Sequence, residues 1–530
     1  MLRWVHSARR PEFDWERDRR TMGRRFLLIT TDQQRFDGLG CNGGKFARTP
    51  NIDALAAGGL NFTQARNQST VCMPARSTIL TGQYIRRHGV TSNGIALPAD
   101  APSLAHLLKE AGYKTALLGK GHLEPHAAKT FFENLAANEG STGPHRGFDR
   151  MELCGHSGRI ARSVFHYAKW LNETHPDVVD GFHEYADKGA PSAKPGGDTD
   201  APQVALNPIP KELYHTQWTA DRTMAWLDSL TDHDDWFCWM SFPDPHHPWD
   251  PPAEAARRFD WRDLPLPDGY PGSVEKCLEV LETKPRHWKE WYLGGRRFAF
   301  EVPPSFVPAR LTADGIREVN AKVHAENELI DDAVGQVMDY LAKRGWDDAT
   351  DVIYTTDHGE FQGDFGMLFK GPYHVDALMR VPMIWRPAPK SGVPGGATIA
   401  EPVGHVDIAP TIVFRAGLGV PGWMQGKPLP IASNDTRGHT TTEWIDTWEG
   451  NNVVLQTIVQ DGRYVLTRYL ATNVYDGTEG ELYDLDADPR QWQNLWDDPA
   501  RQGLEKDLLA ALAAALPAGR EKPLEKVAPV

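Results

Sequence analysis

Two short runs carry the residue types that hold a hard cation. Asp32-Gln33 follows Phe26-Leu27-Leu28-Ile29-Thr30-Thr31, and Asp357-His358-Gly359-Glu360 follows Val352-Ile353-Tyr354-Thr355-Thr356. Each apolar run reads as a buried parallel strand. Both polar sets therefore fall where strands end, the place in which α/β sheets put their ligands. Two carboxylates, an imidazole and an amide are oxygen and nitrogen donors suited to a divalent cation. Asp after a strand also serves as a helix cap, so neither pair decides alone. A third run is Val71-Cys72-Met73-Pro74-Ala75-Arg76-Ser77-Thr78-Ile79-Leu80. Pro74 is tolerated in a first turn, and the residues after it read as a helix opening. That sets Cys72 against orphan N–H groups that attract an anion. A cysteine is more often an inert core side chain; here the flanking residues favour a reactive one.

The elements that must position these runs alternate between strand and helix. Thr49-Pro50-Asn51-Ile52-Asp53-Ala54-Leu55-Ala56 reads as a capped helix, 104–111 as another, followed by a strand at 114–118. A further strand is expected at 236–242, and apolar residues at helical spacing predict a long helix over 318–341. This alternation implies an α/β fold with a mixed, mainly parallel sheet flanked by helices. From about residue 433 the pattern changes to short strands at 453–459, 464–469 and 481–485, then an Ala/Leu helix over 505–516. The expected organisation is an N-terminal arm (1–24), a catalytic α/β domain (25–430) and a small C-terminal α+β subdomain (431–530). Residues 181–210, rich in Pro, Gly and Asp, read as a surface insertion. The stretch 260–308, dense in Pro, Trp and Arg, reads as an irregular excursion that shapes or covers a pocket. The tail from 518 onward is polar and expected to be extended.

Lys and Arg number 57 against 71 Asp and Glu, a net charge of −14. Such a balance speaks against nucleic acid or an anionic membrane surface as partner. An anionic substrate must be drawn by a local cationic pocket instead. The five cysteines, Cys41, Cys72, Cys154, Cys238 and Cys277, are odd in number and form no CxxC pair. This argues against a disulfide framework and a structural zinc site. No apolar leader segment is visible in residues 1–25, and no run approaches the ~18 apolar residues of a membrane span. The cytoplasm is the expected location. Met22 is a candidate alternative start, with the preceding arm either disordered or contacting a second copy in a homo-oligomer.

Taken together, the ordered motifs resemble the type I sulfatases of the alkaline phosphatase superfamily. Cys72, Pro74 and Arg76 match their C-x-P-x-R signature. Asp32-Gln33, Thr49-Pro50-Asn51-Ile52-Asp53, Leu80-Thr81-Gly82, Gly119-Lys120-Gly121-His122, Pro245-His246-His247-Pro248, Asp357-His358-Gly359-Glu360 and Lys370 follow in family order, as do Asp407-Ile408-Ala409-Pro410-Thr411 and Glu481-Leu482-Tyr483-Asp484-Leu485. The resemblance implies that a maturase oxidises Cys72 to formylglycine, whose hydrated aldehyde attacks the ester with one hydroxyl and expels the bound anion with the other. It implies one divalent metal, calcium first with manganese or magnesium as alternatives, held by Asp32, Gln33, Asp357, His358 and the modified Cys72. Arg76 would fix the diol, and Lys120, His246 and Lys370 would surround the substrate's oxygens. Either His246 or Lys370 would protonate the leaving group, His122 would take the second diol proton, and Asn93 would donate to substrate. His247 is read as structural. The implied activity is hydrolysis of small anionic esters: sulfate monoesters, with promiscuity toward phosphate or phosphonate esters. The alternative is a phosphonate monoester hydrolase or phosphodiesterase as the main activity. Two departures bear on that choice. Ala75 replaces the commoner serine of the signature, and Gln33 replaces a second Asp, as in the phosphonate monoester hydrolases. Lys120 and His122, by contrast, follow the arylsulfatase pattern.

Overall fold

The computed structural model describes residues 24–126, 131–155, 165–178, 197–299, 302–303, 305–432 and 437–528. Within them the chain forms β1 (Arg25–Thr31), α1 (Pro50–Gly58), β2 (Leu60–Phe62), α2 (Cys72–Thr81), α3 (Leu104–Glu110), β3 (Lys114–Gly119), β4 (Arg150–Leu153), α4 (His215–Asp228), β5 (Trp236–Ser241), α5 (Val274–Leu281), α6 (His287–Tyr292), α7 (Ala313–Lys343), β6 (Thr350–Thr356), β7 (Met383–Arg386) and β8 (Ala397–Ile399). The eight strands make one sheet in the order β4-β3-β5-β1-β6-β7-β2-β8. Only β7 runs antiparallel to its neighbours β6 and β2; the pairs β4-β3, β3-β5, β5-β1, β1-β6 and β2-β8 are parallel. The mixed, mainly parallel α/β architecture expected from the sequence is the one observed.

Both faces of the sheet are covered, which is why its central strands read as unbroken apolar runs. Along β1 the side chains alternate: Phe26 and Leu28 pack with Ile79 and Leu80 of α2 and Leu104 and Leu108 of α3. Leu27 and Ile29 point the other way, onto Ile52 and Leu55 of α1, Leu227 of α4 and Ile330, Val334 and Val337 of α7. Each side chain so buried contributes about 1.5–3 kcal/mol of transfer free energy. Helix α7 begins before the expected residue 318, because the Thr312 hydroxyl caps it by accepting the Gly315 N–H at 3.0 Å.

A second sheet follows in the order β9 (His439–Trp448), β10 (Asn451–Gln460), β11 (Tyr464–Tyr469) and β12 (Gly480–Asp484), antiparallel throughout. Helix α8 (Gln502–Ala515) buries Leu508 and Leu512 against Ile458, Leu466 and Leu482 on one face of it. The 260–308 excursion is less irregular than expected, since it contains α5 and α6. Residues 197–210, expected on the surface, pack inward: Asp198 and Thr199 donate backbone N–H groups to Glu318 at 2.7 and 2.9 Å, and Ala201 and Val204 are fully buried. The arm expected over 1–24 lies outside the described residues except for Arg24, as does all of 181–196. Among the described residues no helix is long and apolar enough to cross a membrane.

Candidate active site

The ends of four adjacent parallel strands, β3, β5, β1 and β6, meet at one point, and their loops are stitched together there. Asp32 donates its N–H to Asp244 O at 3.0 Å, Lys120 donates to Ser241 O at 2.7 Å, and Asp357 donates to Thr31 O at 3.3 Å. Helix α2 is driven into this point with all ten of its residues buried. Cys72 is its first residue, 0% exposed. Its sulfur lies 3.2 Å from His358 Nε2 and 3.7 Å from Asp32 Oδ1, and it accepts from Lys370 Nζ at 3.4 Å.

Asp32, Cys72, Asp357 and His358 offer ligand atoms that all lie within 4.8 Å of one another, all four residues being buried. Two carboxylates, an imidazole and one further donor in so small a space fit a single divalent cation. Each carboxylate has one oxygen toward this cluster and the other backed by a cation. Asp32 Oδ2 is paired with the Lys120 ammonium and lies 3.5 Å from Arg76 Nη2. Asp357 Oδ2 accepts from Arg76 Nε at 2.8 Å, while Asp357 Oδ1 accepts N–H groups from Gln33 and His358 at 3.1 and 2.9 Å. Outer partners of this kind orient ligands. Arg76 is anchored in turn by donating to Lys120 O at 2.9 Å and Ser241 Oγ at 2.8 Å.

Charge explains the ionisation states. Burial would raise the Asp32 carboxyl, but Lys120, His246, Arg76 and Lys370 outweigh it and hold it well below the usual range. Arg76 is raised because Asp357 and Asp32 overcome its burial. His358 is lowered by burial, against the pull of Asp357. His246 is lowered further, by burial and then by His247 and Lys370. Its Nδ1 faces His247 O at 2.5 Å and its Nε2 faces Lys370 Nζ at 2.7 Å. A neutral ring with its proton on Nδ1 satisfies both contacts, leaving Lys370 as donor to Nε2. Three cationic side chains, Arg76, Lys120 and Lys370, thus gather around two carboxylates. The chain is acidic as a whole and cationic at this point.

The structure brings all the sequence-derived candidates to this place. Lys370 Nζ donates to Gln33 Oε1 at 2.7 Å. Asn93 Oδ1 accepts the Met73 N–H at 3.0 Å, in the first turn of α2 beside Cys72. His122 follows Lys120 on the loop after β3, with its ring stacked 3.8 Å from His126, and neither ring nitrogen has a partner among the described residues. Burial, then His126 and Lys120, hold it well below 6.5. Gln33, His122 and Phe369 all have positive φ (64°, 54° and 71°). Such backbone costs of order 1–3 kcal/mol per residue and clusters at functional sites.

Two participants escaped the sequence reading. Glu360 Oε2 accepts from Gln33 Nε2 at 3.0 Å, while its Oε1 accepts the N–H groups of Gln362 at 3.1 Å and Phe369 at 2.6 Å. Burial pushes its carboxyl up to about 8 against those N–H groups and the charges of Lys370 and Arg35. His247 Nδ1 lies 3.1 Å from the same Gln33 Nε2, and its ring stacks on His246 at 3.9 Å. The signal for Glu360 was its place in the Asp357-His358-Gly359-Glu360 run. For His247 it was adjacency to His246 alone. The 260–308 excursion reaches the site's apolar wall: Phe306 packs edge-on against Phe369 at 5.3 Å, next to Lys370.

The sulfatase family profile matches residues 24–418, and the profile for the C-terminal part of N-sulphoglucosamine sulphohydrolase matches 363–516. The chain is 27% identical over 482 residues to the uncharacterized sulfatase YidJ of Escherichia coli K12, covering 89% of this chain and 83% of that one. It is 27% identical over 515 residues to the multifunctional alkaline phosphatase superfamily protein PehA of Trinickia caryophylli, covering 91% and 93%. The phosphonate monoester hydrolase of Silicibacter pomeroyi superposes with a TM-score of 0.74 at 24% identity, over 93% of this chain and 96% of that one, a likeness of fold. The chain belongs to the sulfatase family and is a hydrolase of sulfate esters.

Proposed function

We propose that the protein hydrolyses sulfate monoesters of small molecules through a formylglycine made from Cys72, beside one divalent cation held by Asp32, Gln33, Asp357 and His358. The observation that carries this reading is the position of Cys72, the first residue of a buried helix, whose sulfur lies among two carboxylates, His358 and Lys370. That sulfur stands in for the oxygens of the modified side chain. Formylglycine supplies a hydrated aldehyde with two hydroxyls, and a divalent cation lowers the pKa of a bound hydroxyl and neutralises substrate charge. Cys72 is 0% exposed, so a maturase reaches it only in the unfolded chain. Calcium is favoured by the carboxylate oxygens, manganese by the His358 nitrogen.

The chain's own residues do the rest. Arg76 holds Asp357 and sits under the nucleophile. Lys120 and Lys370 offer ammonium groups to the non-bridging oxygens of a sulfuryl group. Lys370 is the proton donor to the leaving oxygen, because His246 accepts from it rather than the reverse; His246 holds the ammonium in place. His122, neutral and with no hydrogen-bond partner for its ring nitrogens among the described residues, is the base on the nucleophile's side of the site. Lys370→Ala is expected to cut kcat/KM about 10²–10⁴-fold for alkyl sulfates. It should do far less to nitrophenyl sulfate, whose leaving group needs no proton. His246→Ala should show the same trend more weakly. A Lys370→Ala loss that is equal across a series of phenols would remove the acid role.

Glu360 tests the metal assignment from one shell out. It and His247 both hold Gln33 Nε2, which turns Gln33 Oε1 toward Lys370 and the ligand cluster. Glu360→Gln is expected to weaken calcium or manganese binding about 10–100-fold, measured by calorimetric titration of metal-stripped protein. Unchanged affinity would take Gln33 out of the ligand set. The amide at Gln33 favours a second reading, in which phosphonate or phosphodiester substrates are preferred, since one negative charge fewer at the metal suits a more highly charged ester. PehA, a relative described as multifunctional, supports promiscuity of this kind. A steady-state panel of aryl sulfate, phosphonate and phosphodiester on one preparation decides the order of preference. A kcat/KM for the phosphonate or the diester above that for the sulfate would reverse the reading.

A further inference from the structure

We propose that residues 517–528 are a positioning segment for the loop that carries Asn93, with Lys526 as its anchor. The inference deepens the sulfate-ester reading, since it concerns one wall of that site. Both family profiles end at or before residue 516, ahead of this segment. It lies along residues 86–94 and is held there at several points. Arg86 Nη1 donates to Pro517 O at 3.4 Å, Arg520 N–H donates to Arg86 O at 2.8 Å, and Val527 N–H donates to Gly94 O at 2.9 Å. Leu524 packs against the core under the sheet.

Two glycines of the loop are seats for the segment. A Cβ on Gly89 (φ 84°) would lie 2.5 Å from Arg520 Cδ, and one on Gly94 (φ 88°) would lie 1.8 Å from Ala528 O. Only glycine combines that φ with so close an approach. The polar anchor is shared: Lys526 Nζ contacts Asp446 Oδ1 of β9 at 2.6 Å, Asp446 lies beside Ser92, and the Ser92 hydroxyl donates to Asn93 O at 3.2 Å. The next residue, Asn93, accepts the Met73 N–H, and Gly94 N–H points to Met73 Sδ at 3.2 Å. A continuous path of contacts therefore runs from Lys526 through Asp446, Ser92 and Asn93 to the residue after Cys72.

Val90 roots the loop in the core and Asn93 ties it to Met73, and the segment adds the contacts at Gly89 and Gly94 that the glycines themselves cannot make. Without the segment a smaller fraction of molecules would hold the loop in its binding position, and apparent affinity falls with that fraction. The effect should appear in KM and leave kcat nearly untouched. The experiment compares full-length wild type, Lys526→Ala and Lys526→Arg. It records hydrogen exchange of the 91–94 amides, melting temperature, and steady-state kinetics on nitrophenyl sulfate. Lys526→Ala is expected to speed exchange at 91–94 and raise KM about fivefold or more, with kcat within about twofold, and Lys526→Arg to restore both. Unchanged exchange, raised exchange with unchanged KM, or a kcat that falls in step with melting temperature would each overturn the proposal. A wild type that turns over no sulfate ester would sink the functional reading instead. In that case exchange at 91–94 in Lys526→Ala still decides whether the segment holds the loop.

Discussion

Cys72→Ala is expected to leave a folded protein with no measurable turnover of any ester, a loss on the order of 10⁴-fold or more, because catalytic residues that act as a unit fail together. Lys120, Lys370 and the proposed metal ligands all converge on the point where the Cys72 side chain ends, so without it they would bind an anion and transfer nothing. The fold should survive. The sulfur's polar contacts are long, 3.2–3.7 Å, and removing one buried atom costs only about 1 kcal/mol in a packed site. Cys72→Ser should be as inactive on sulfates, since one hydroxyl can attack but none remains to release the anion. Melting curves and assays on matched preparations check both. Turnover within tenfold of wild type in either variant would mean that another group is the nucleophile.

Asp357→Asn carries the second large effect, on metal and stability at once. Asp357 presents Oδ1 to the ligand cluster and Oδ2 to Arg76, which is fully buried. Substitution by an amide removes a metal charge and leaves Arg76 with Asp32 alone, 3.5 Å away. Breaking one partner of a buried pair costs about 3–5 kcal/mol. The expected variant binds no stoichiometric divalent ion, loses turnover, and melts well below wild type. Stripping the wild type with a chelator should also abolish turnover. It should lower the melting temperature too, since a ligand at 100 times its Kd stabilises by about 2.7 kcal/mol. Calcium or manganese should restore both. An Asp357→Asn protein with one bound ion and near-normal kcat would place the metal elsewhere.

How much of this was readable before the coordinates depends on whether a residue's partner lies along the chain or across the sheet. The apolar runs at 26–31 and 352–356 announced strands, and ligands at their ends followed from general α/β geometry. That these two strands lie side by side came from the strand order, which no local pattern encodes. Helix α5 was hidden by the Pro and Trp around it, although Ser273, whose side chain accepts the Lys276 N–H at 3.3 Å, is a recognisable cap. The partnership of Glu360 with Gln33 and Phe369 needs a left-handed Phe369, a conformation sequence does not show. His247 was read as structural because it fits the motif less well than His246; the fold sets its Nδ1 3.1 Å from Gln33 Nε2. The 197–210 stretch was misread as surface, since its composition was polar and its anchor, Glu318, lies on a distant helix.

The most direct test is the mass of the tryptic peptide Asn67–Arg76 from enzyme of known specific activity on nitrophenyl sulfate. The account predicts an aldehyde at Cys72, seen as the formylglycine mass and trapped by a hydrazine reagent. The fraction of peptide so modified should rise in proportion to turnover across preparations made with and without a maturase. A fully active preparation in which that peptide carries only unmodified cysteine would contradict it.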